Sequence, residues 1–193
     1  MNPASRPDAP TPAAKAEPAG LAALFDFSAR LRLRPMYVGQ ARRLLAGDDA
    51  LAADISGWAP GYPSEETRQA ARMLVRQAEA GELERGFGVY LMVRQSDDLV
   101  IGGIGFHGRP ERGRVEVGYD VAPSARGQGY ATEALRALAG WALQRPGVQV
   151  VLGRTETENA ASLRVLEKAD FVSCGGPDAE GLFSFERREA PAV

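Results

Sequence analysis

The stretch RVEVGYDVAPSARGQGYATEAL, residues 114–135, joins a strand to a helix and decides the architecture of the chain. Its first eight residues alternate between apolar and polar or small side chains, which predicts a half-buried strand. From Gly129 onward the apolar residues recur at helical spacing, which predicts an amphipathic helix. One face of the strand carries Val115, Val117, Tyr119 and Val121, and the other carries Glu116, Gly118 and Asp120.

The turn between strand and helix, Arg126 to Thr132, is rich in glycine and small residues. Small residues let backbone amides approach a ligand, and a helix N-terminus adds unpaired N–H donors and a positive dipole. The turn therefore predicts a cradle for a phosphate or pyrophosphate. It lacks the lysine of a Walker A motif, and Thr132 stands where a dinucleotide fingerprint needs its third glycine. A tight glycine turn without a ligand is the alternative interpretation.

Three segments follow one another in this part of the chain. They are EVGY at residues 116–119, Arg126-x-x-Gly129-x-Ala131, and TENAASLRVLEKADF at residues 157–171. In this order and spacing they resemble the GCN5-related N-acetyltransferases, and in particular the branch of ribosomal-protein N-terminal acetyltransferases. Asp170 departs from that pattern, which usually has glycine at this place. The resemblance covers about residues 30–188 and is strongest from 114 to 171.

The resemblance implies an α+β fold with a mixed, mostly antiparallel sheet of six to seven strands, splayed in the middle and flanked by helices. It implies that acetyl-CoA, with no metal, lies in the splay and reacts directly with a primary amine. Val121 and nearby backbone would hold the pantetheine arm, and Asn159 would bind the cofactor near its reacting end. The cofactor pyrophosphate would lie on Arg126, Gly127, Gln128, Gly129, Tyr130, Ala131 and Thr132.

The same resemblance gives Ser162 a contact with the cofactor and the role of general acid toward the departing thiolate. Because a hydroxyl is a weak acid, we expect hydrogen-bond stabilisation as much as proton transfer; a helix-surface serine is the alternative. Glu116 is the candidate base, since the attacking amine must lose a proton. A solvated or ion-paired strand carboxylate is an equal alternative for Glu116.

Four further residues have the chemistry for a site but no motif around them. His107 would suit a base, yet its place at a strand end beside a glycine favours an ordinary loop histidine. Cys174 lies in an apolar strand, which predicts a buried and inert thiol. Trp58 and Tyr62, in the loop WAPGYP, would either line the acceptor site or fill the edge of the domain.

The rest of the chain predicts more strands and helices by the same periodicities. Strands are expected near 29–35, 88–95, 99–108, 148–155, 170–176 and 182–189, which makes seven with the strand at 114–121. Helices are expected near 37–47, 48–57, 65–81 and 158–169, in addition to the helix from Gly129. Ser64 is the predicted N-cap of the helix at 65–81. The buried face of that helix is predicted to be Ala70, Met73, Leu74 and Gln77.

Composition narrows the classes of protein to consider. The 193 residues are 45% hydrophobic and 25% charged, which is typical of one globular domain. One cysteine and one histidine exclude an internal disulfide and make a Cys/His zinc site untenable. A net charge of −2 gives no argument for direct nucleic-acid binding. No apolar run is long enough for a membrane span, so we expect a cytoplasmic protein without a membrane partner.

Domain organisation follows from the termini. Five prolines among the first 20 residues predict a disordered leader over 1–28, not a secretory signal. A single domain is expected over 29–189, with a loose end at 190–193. The general frequency of dimers favours a homodimer. The alternatives to an N-acetyltransferase are a non-catalytic acyl-CoA-binding module of the same fold and an unrelated enzyme with a phosphate ligand.

Overall fold

The computed structural model describes residues 30–49 and 55–188, and these ranges contain eight strands and four α-helices. The strands are β1 (Leu31–Pro35), β2 (Gly57–Trp58), β3 (Val89–Arg94), β4 (Leu99–Phe106), β5 (Arg114–Val121), β6 (Val150–Glu156), β7 (Val172–Gly175) and β8 (Leu182–Arg188). The helices are α1 (Val38–Leu45), α2 (Glu65–Glu79), α3 (Tyr130–Leu143) and α4 (Ala160–Lys168), with a 3-10 turn at Pro123–Ala125.

One mixed sheet holds these strands in the order β1-β3-β4-β5-β6-β8-β7, with β2 beside β4. Within it, β5 is parallel to β6 and β2 to β4, whereas the other described pairs are antiparallel. At the centre, β5 and β6 pair only over Arg114–Glu116 and Val150–Leu152. Beyond these residues the two strands diverge, and we call the space between their diverging ends the opening. The predicted central splay is therefore confirmed.

The sheet has one strand more than the six to seven predicted. All seven predicted strands are present, and the addition is the two-residue strand β2. It forms because β5 covers β4 only from Gly102 to Phe106, which leaves Leu99 and Val100 free to pair with β2. Half of the helix predicted over 48–57 falls on residues 50–54, which lie outside the described ranges, as does the predicted leader. At the described half the prediction is wrong: residues 48, 49, 55 and 56 are not helical, and Gly57 begins β2.

The two faces of the sheet carry different helices. Helix α2 packs against β3 and β4 on the face that carries Asp120, since Thr67 of α2 bonds to that carboxylate. Helices α3 and α4 pack together on the opposite face, where Tyr119 contacts Ser162 at the start of α4. The predicted inner residues of α3 are fully buried: Leu135, Leu138, Ala139 and Ala142.

Helix α2 begins as predicted, and the face it buries agrees only in part with the predicted one. The Ser64 side chain accepts a hydrogen bond from the backbone N–H of Thr67 at 3.1 Å, which is an N-cap. Of the predicted inner residues, Leu74 is buried as expected, whereas Ala70, Met73 and Gln77 are half-buried. The other buried residues of the helix are Thr67 and Ala71. Thr67 lies inward because its hydroxyl donates to the half-buried carboxylate of Asp120 at 3.0 Å, which hydrophobic periodicity alone does not anticipate.

The prediction of a buried Cys174 is wrong. The thiol is exposed, because β7 is a short edge strand whose four residues are all exposed beside β8. Edge strands have a neighbour on one side only, so an apolar pattern there does not ensure burial. Across residues 30–49 and 55–188, no helix is both long and apolar enough to cross a bilayer.

Candidate active site

The turn from Arg126 to Thr132, which we call the cradle, presents a row of unpaired backbone donors. After the 3-10 turn, Gly127 and Gly129 take left-handed conformations, with φ of 74° and 84°, and Gly129 is the N-cap of α3. Within the described part of the chain, no group accepts a hydrogen bond from the N–H groups of residues 127–132. These donors, together with the positive end of the helix dipole, fit an anionic ligand such as a pyrophosphate.

The two glycines are required by backbone conformation more than by space. Among the described residues, a Cβ on Gly127 would meet nothing within 4 Å, and one on Gly129 would meet only the Arg30 side chain, at 3.8 Å. Left-handed φ angles disfavour every other L-residue, so glycine is what allows this turn to expose its amides. The predicted strand–turn–helix is therefore present, with its amides exposed for a ligand.

Side chains of the cradle are less available than its backbone. The Arg126 Nε donates to the carbonyl oxygen of Val121 at 3.1 Å, and Gln128 Nε2 donates to the carbonyl of Ser124 at 3.2 Å. Tyr130 is buried in the core, so only its N–H can face a ligand. Ala131 and Thr132 are partly exposed in the first turn of α3.

Arg30 is a cradle neighbour that the sequence did not reveal. Its guanidinium lies 4.9 Å from the centre of the Tyr130 ring, donates to the carbonyl of Gln128 at 3.1 Å and forms an ion pair with Glu133. It thereby ties the start of β1 to the first turn of α3. Almost one hundred residues separate the partners, and no local motif marks Arg30.

Asn159 and Ser162 lie at the start of α4, on one side of the opening. Asn159 is the N-cap of the helix, as its Oδ1 accepts from the backbone N–H of Ser162 at 3.0 Å. The Tyr119 hydroxyl, on β5, donates to the Ser162 carbonyl at 3.3 Å. Burial raises the pKa of Tyr119 to about 12, so this hydroxyl stays protonated. Tyr119 thus packs partly against the core and also positions α4.

Glu116 points from the opposite face of β5 and contacts two nitrogen groups. One carboxylate oxygen lies 3.0 Å from His107 Nδ1, and the other accepts from Arg154 Nε at 3.2 Å. The hydrogen bond with His107 and the charge of Arg154 hold the pKa of Glu116 below its usual range, although burial opposes this. Glu116 is therefore ion-paired, which was one of its two interpretations. Its other partner, His107, lies in the loop directly after β4, as predicted.

A pocket of about 350 Å³ lies on this face of the sheet. Glu116 and His107 line one wall, and Gln77, at the C-terminal end of α2, lines another. Its rim carries both signs of charge, from Glu82, Arg109, Glu111 and Arg114. The strand residues in its lining, Arg114, Val115 and Glu116 of β5 and Leu152 of β6, belong to the stretch over which the two strands pair, directly before they diverge.

Trp58 and Tyr62 do not line this pocket. Their rings contact one another, with centroids 5.7 Å apart, and Trp58 Nε1 donates to the carbonyl of Asp49 at 2.7 Å. Tyr62 is buried, and its hydroxyl bonds to Thr67 beside Asp120. Burial and the nearby Asp120 charge raise the pKa of Tyr62, so the hydroxyl remains neutral. Their assignment to an acceptor site stays a prediction.

Side chains of the types that bind metals are not clustered in residues 30–49 and 55–188. No three His, Cys, Asp or Glu side chains there converge in a way that could hold an ion. The groups that could act on a substrate are the amides of the cradle, the Ser162 hydroxyl and the pair of Glu116 and His107.

Comparison with known proteins places this geometry among acetyltransferases. Residues 30–172 match the family model described as an acetyltransferase (GNAT) domain. The uncharacterized N-acetyltransferase YjdG of Bacillus subtilis is 37% identical over 89 residues, which are 46% of this chain and 53% of that protein. The chain thus spans about half the length of the curated relatives it matches.

Two solved structures share the fold. RimL, a ribosomal L7/L12 α-N-protein acetyltransferase in complex with coenzyme A, has a TM-score of 0.60 at 21% identity, with 85% of this chain and 97% of that chain covered. The ribosomal-protein-S5-alanine acetyltransferase of Vibrio fischeri has a TM-score of 0.57 at 15% identity, with 83% and 94% covered.

Proposed function

The chain belongs to the GNAT acetyltransferase family, and from this premise we propose that it transfers the acetyl group of acetyl-CoA to a primary amine. The observation that carries the proposal is the row of N–H groups at residues 127–132, which have no acceptor in the described part of the chain. They lie at the start of α3, immediately after β5, whose edge faces the opening. A pyrophosphate on these amides would let the rest of an extended thioester follow that edge.

Each part of acetyl-CoA has a matching group. The amides of Gly127, Gln128, Gly129, Tyr130, Ala131 and Thr132 would hold the pyrophosphate, with Arg126 adding charge. Arg126 uses Nε on the Val121 carbonyl, so its terminal nitrogens would meet the phosphate. The backbone of β5 up to Val121 would hold the pantetheine arm. The Asn159 amide nitrogen would supply a donor near the thioester, since its Oδ1 is occupied by the N-cap bond.

The reaction would be a direct attack in a ternary complex. A neutral amine bonds to the thioester carbonyl carbon, the C–S bond breaks and the electron pair passes to sulfur. Ser162, on the α4 side of the opening, would donate a hydrogen bond or a proton to that thiolate. Glu116, on the opposite face, would supply the negative charge that assists loss of the amine proton. Placing the two groups on opposite faces separates the arriving amine from the departing sulfur.

The acceptor would be either a protein N-terminus or a small-molecule amine, bound in the pocket beside Glu116. RimL and the S5-alanine acetyltransferase, by their names, act on ribosomal proteins, which supports the first class at the level of fold. The mixed charges at the rim suit an acceptor that carries polar groups around its amine. Trp58 and Tyr62, which the sequence predicts to line the acceptor site, would influence acceptor binding indirectly, through α2 and the loop that precedes it.

Calorimetric titration with acetyl-CoA, CoA, ATP and NAD tests the proposal. We expect acetyl-CoA and CoA to bind with dissociation constants in the micromolar range or below, and ATP and NAD to bind far more weakly. A folded protein that binds neither CoA form would contradict the proposed function, and selective ATP or NAD binding would replace it with a different phosphate ligand. Release of CoA in the presence of a serine-starting hexapeptide or spermidine then measures transfer.

A further inference from the structure

The chain has one histidine, and its ring is held by the carboxylate of Glu116. His107 Nδ1 lies 3.0 Å from Glu116 Oε1, and Glu116 Oε2 accepts from Arg154. A carboxylate of this kind can only accept, so the hydrogen in the first contact belongs to Nδ1. In a neutral ring this leaves Nε2 without a hydrogen and able to accept a proton.

The Nε2 atom lies above Gly118 of β5. A Cβ on Gly118 would come within 2.6 Å of Nε2, so the ring can occupy this place only because the strand has a glycine there. Gly118 is two residues beyond Glu116, the last residue of β5 that pairs with β6. The accepting nitrogen is therefore beside the first part of the opening, and the half-exposed ring also lines the pocket.

We propose that His107 is the catalytic base that takes the proton of the acceptor amine, with Glu116 as a positioning residue. The inference rests on the proposed function, which does not name the atom that accepts the amine proton. We assign that role to His107 Nε2. The amine nitrogen bonds to the carbonyl carbon, and its N–H proton passes to Nε2 to give an imidazolium. Breaking the C–S bond leaves the thiolate beside Ser162, and the imidazolium returns its proton to solvent after release.

Glu116 is poorly suited to take this proton itself. Each of its carboxylate oxygens already faces a nitrogen donor, and those contacts lower its pKa, so it stays ionised at neutral pH. An ionised carboxylate stabilised in this way is a weak proton acceptor, whereas its charge stabilises a neighbouring imidazolium. The charged and titratable groups that face His107 are Arg114 and Glu116 on β5, Arg154 on β6, Glu82 after α2, and Arg109 and Glu111 between β4 and β5.

The experiment uses the full chain without a polyhistidine tag, so that one imidazole gives the whole signal. Two-bond ¹H–¹⁵N spectra recorded across a range of pH report which ring nitrogen carries the hydrogen. No resonance assignment is needed, because the chain has one histidine. We expect the neutral ring to carry its hydrogen on Nδ1, and Glu116→Gln to shift the population toward the Nε2–H form. Wild-type protein with its hydrogen on Nε2 would overturn the proposal, because that nitrogen could not accept the amine proton.

Turnover measurements test the catalytic step. CoA release with the serine-starting hexapeptide and with spermidine should fall by about a hundredfold or more in His107→Gln, with acetyl-CoA affinity unchanged. The acidic limb of the pH–rate profile should coincide with the wild-type imidazole titration and disappear in His107→Gln. Gly118→Ala should displace the ring and give a similar loss with Glu116 intact. Gly140→Ala, at a helical glycine with nothing within 4 Å, is the matched control.

The outcomes separate the two proposals. Loss of acetyl-CoA binding by wild-type protein, or no transfer to either acceptor, counts against the proposed function. Normal binding and transfer with full kcat in His107→Gln would overturn the assignment of His107 and return proton removal to Glu116 or water.

Discussion

Asn159 Oδ1 accepts a hydrogen bond from the backbone N–H of Ser162 at 3.0 Å, so the residue expected to bind cofactor also caps the helix that presents the serine. The cap uses the backbone of Ser162 and leaves its hydroxyl unengaged, with no hydrogen-bond partner anywhere in the described ranges. The backbone of Ser162 thus helps to hold the start of α4, while its side chain remains available to a ligand.

Ser162→Ala should lower kcat by about a hundredfold, the usual effect of removing one donor to a developing charge. Acetyl-CoA affinity and thermal stability should change little, because the backbone N–H still bonds to Asn159. Steady-state kinetics with calorimetry on the same sample measures both quantities. Ser173→Ala, on the exposed strand β7, is a serine control that should behave as wild type. An undiminished kcat in Ser162→Ala would mean that water, and not Ser162, stabilises the departing thiolate.

Gly129→Arg should weaken acetyl-CoA binding by about a hundredfold or more, since two charge-assisted hydrogen bonds are worth about 3 kcal/mol. Gly147→Arg is the matched control, because Gly147 has a φ of 83° against 84° for Gly129 and nothing lies within 4 Å of its Cβ position. Both variants meet the same left-handed strain, of about 1 kcal/mol. Equal loss of affinity in the two variants would mean that strain alone is responsible and that the cradle does not bind the cofactor.

Arg30→Ala should lower acetyl-CoA affinity about three- to tenfold, because Glu133 would then stand beside the phosphate site without its cation. Glu133 pairs with Arg30 through Oε2, and its buried Oε1 has no hydrogen-bond partner among the residues that the structure describes. The double variant Arg30→Ala/Glu133→Gln should regain most of the affinity. Titration of wild type and both variants at two salt concentrations provides the measurement. If the double variant binds no better than Arg30→Ala, the effect comes from lost packing on Tyr130.

Asp120→Asn should change how stability depends on pH. Burial raises the pKa of the Asp120 carboxyl, against the hydroxyl bonds from Ser64 at 2.6 Å and Thr67 at 3.0 Å. A carboxyl that holds its proton more tightly when folded stabilises the protein at low pH, and this contribution disappears as pH rises through the folded-state pKa. Asparagine has no such titration, so the free energy of unfolding of the variant should rise relative to wild type as the pH increases.

Urea unfolding of wild type and Asp120→Asn at several values between pH 3 and pH 8 checks this direction. Comparing the two proteins cancels the titration of the carboxylates they share. A difference that is constant with pH would mean that Asp120 titrates alike in the folded and unfolded chains.

The sequence predicted most of what is local. The alternation from Val115 to Val121, the glycine turn and the cap at Ser64 each depend on neighbours within a few residues, and the structure has all three. How deeply each strand residue is buried was harder to predict from the sequence. Asp120 alternates as a polar residue should, yet α2 covers it, because its partners come from a helix more than fifty residues earlier.

His107 illustrates why the rest of the site could not be predicted. Its contact with Glu116 follows from the register of β4 and β5, in which Phe106 pairs with Val117 and His107 therefore lies opposite Glu116. The connection between the strands has no motif that fixes this register, and a shift by one residue would have placed the ring on the other face. Arg30 is hidden for a similar reason, since it reaches the cradle from a strand at the far edge of the sheet.

The short pairing of β5 with β6 makes this sheet two halves joined by a narrow seam. Three residues of each strand form this pairing, Arg114–Glu116 with Val150–Leu152, and the ladder between the two strands ends there. A thioester lying there would act as a substitute strand, making hydrogen bonds to both halves that the polypeptide leaves unmade. The hydrogen bonds that recognise the ligand would then also hold the two halves together. The ligand-free protein would therefore show larger relative motion of the two halves than the ligand-bound protein.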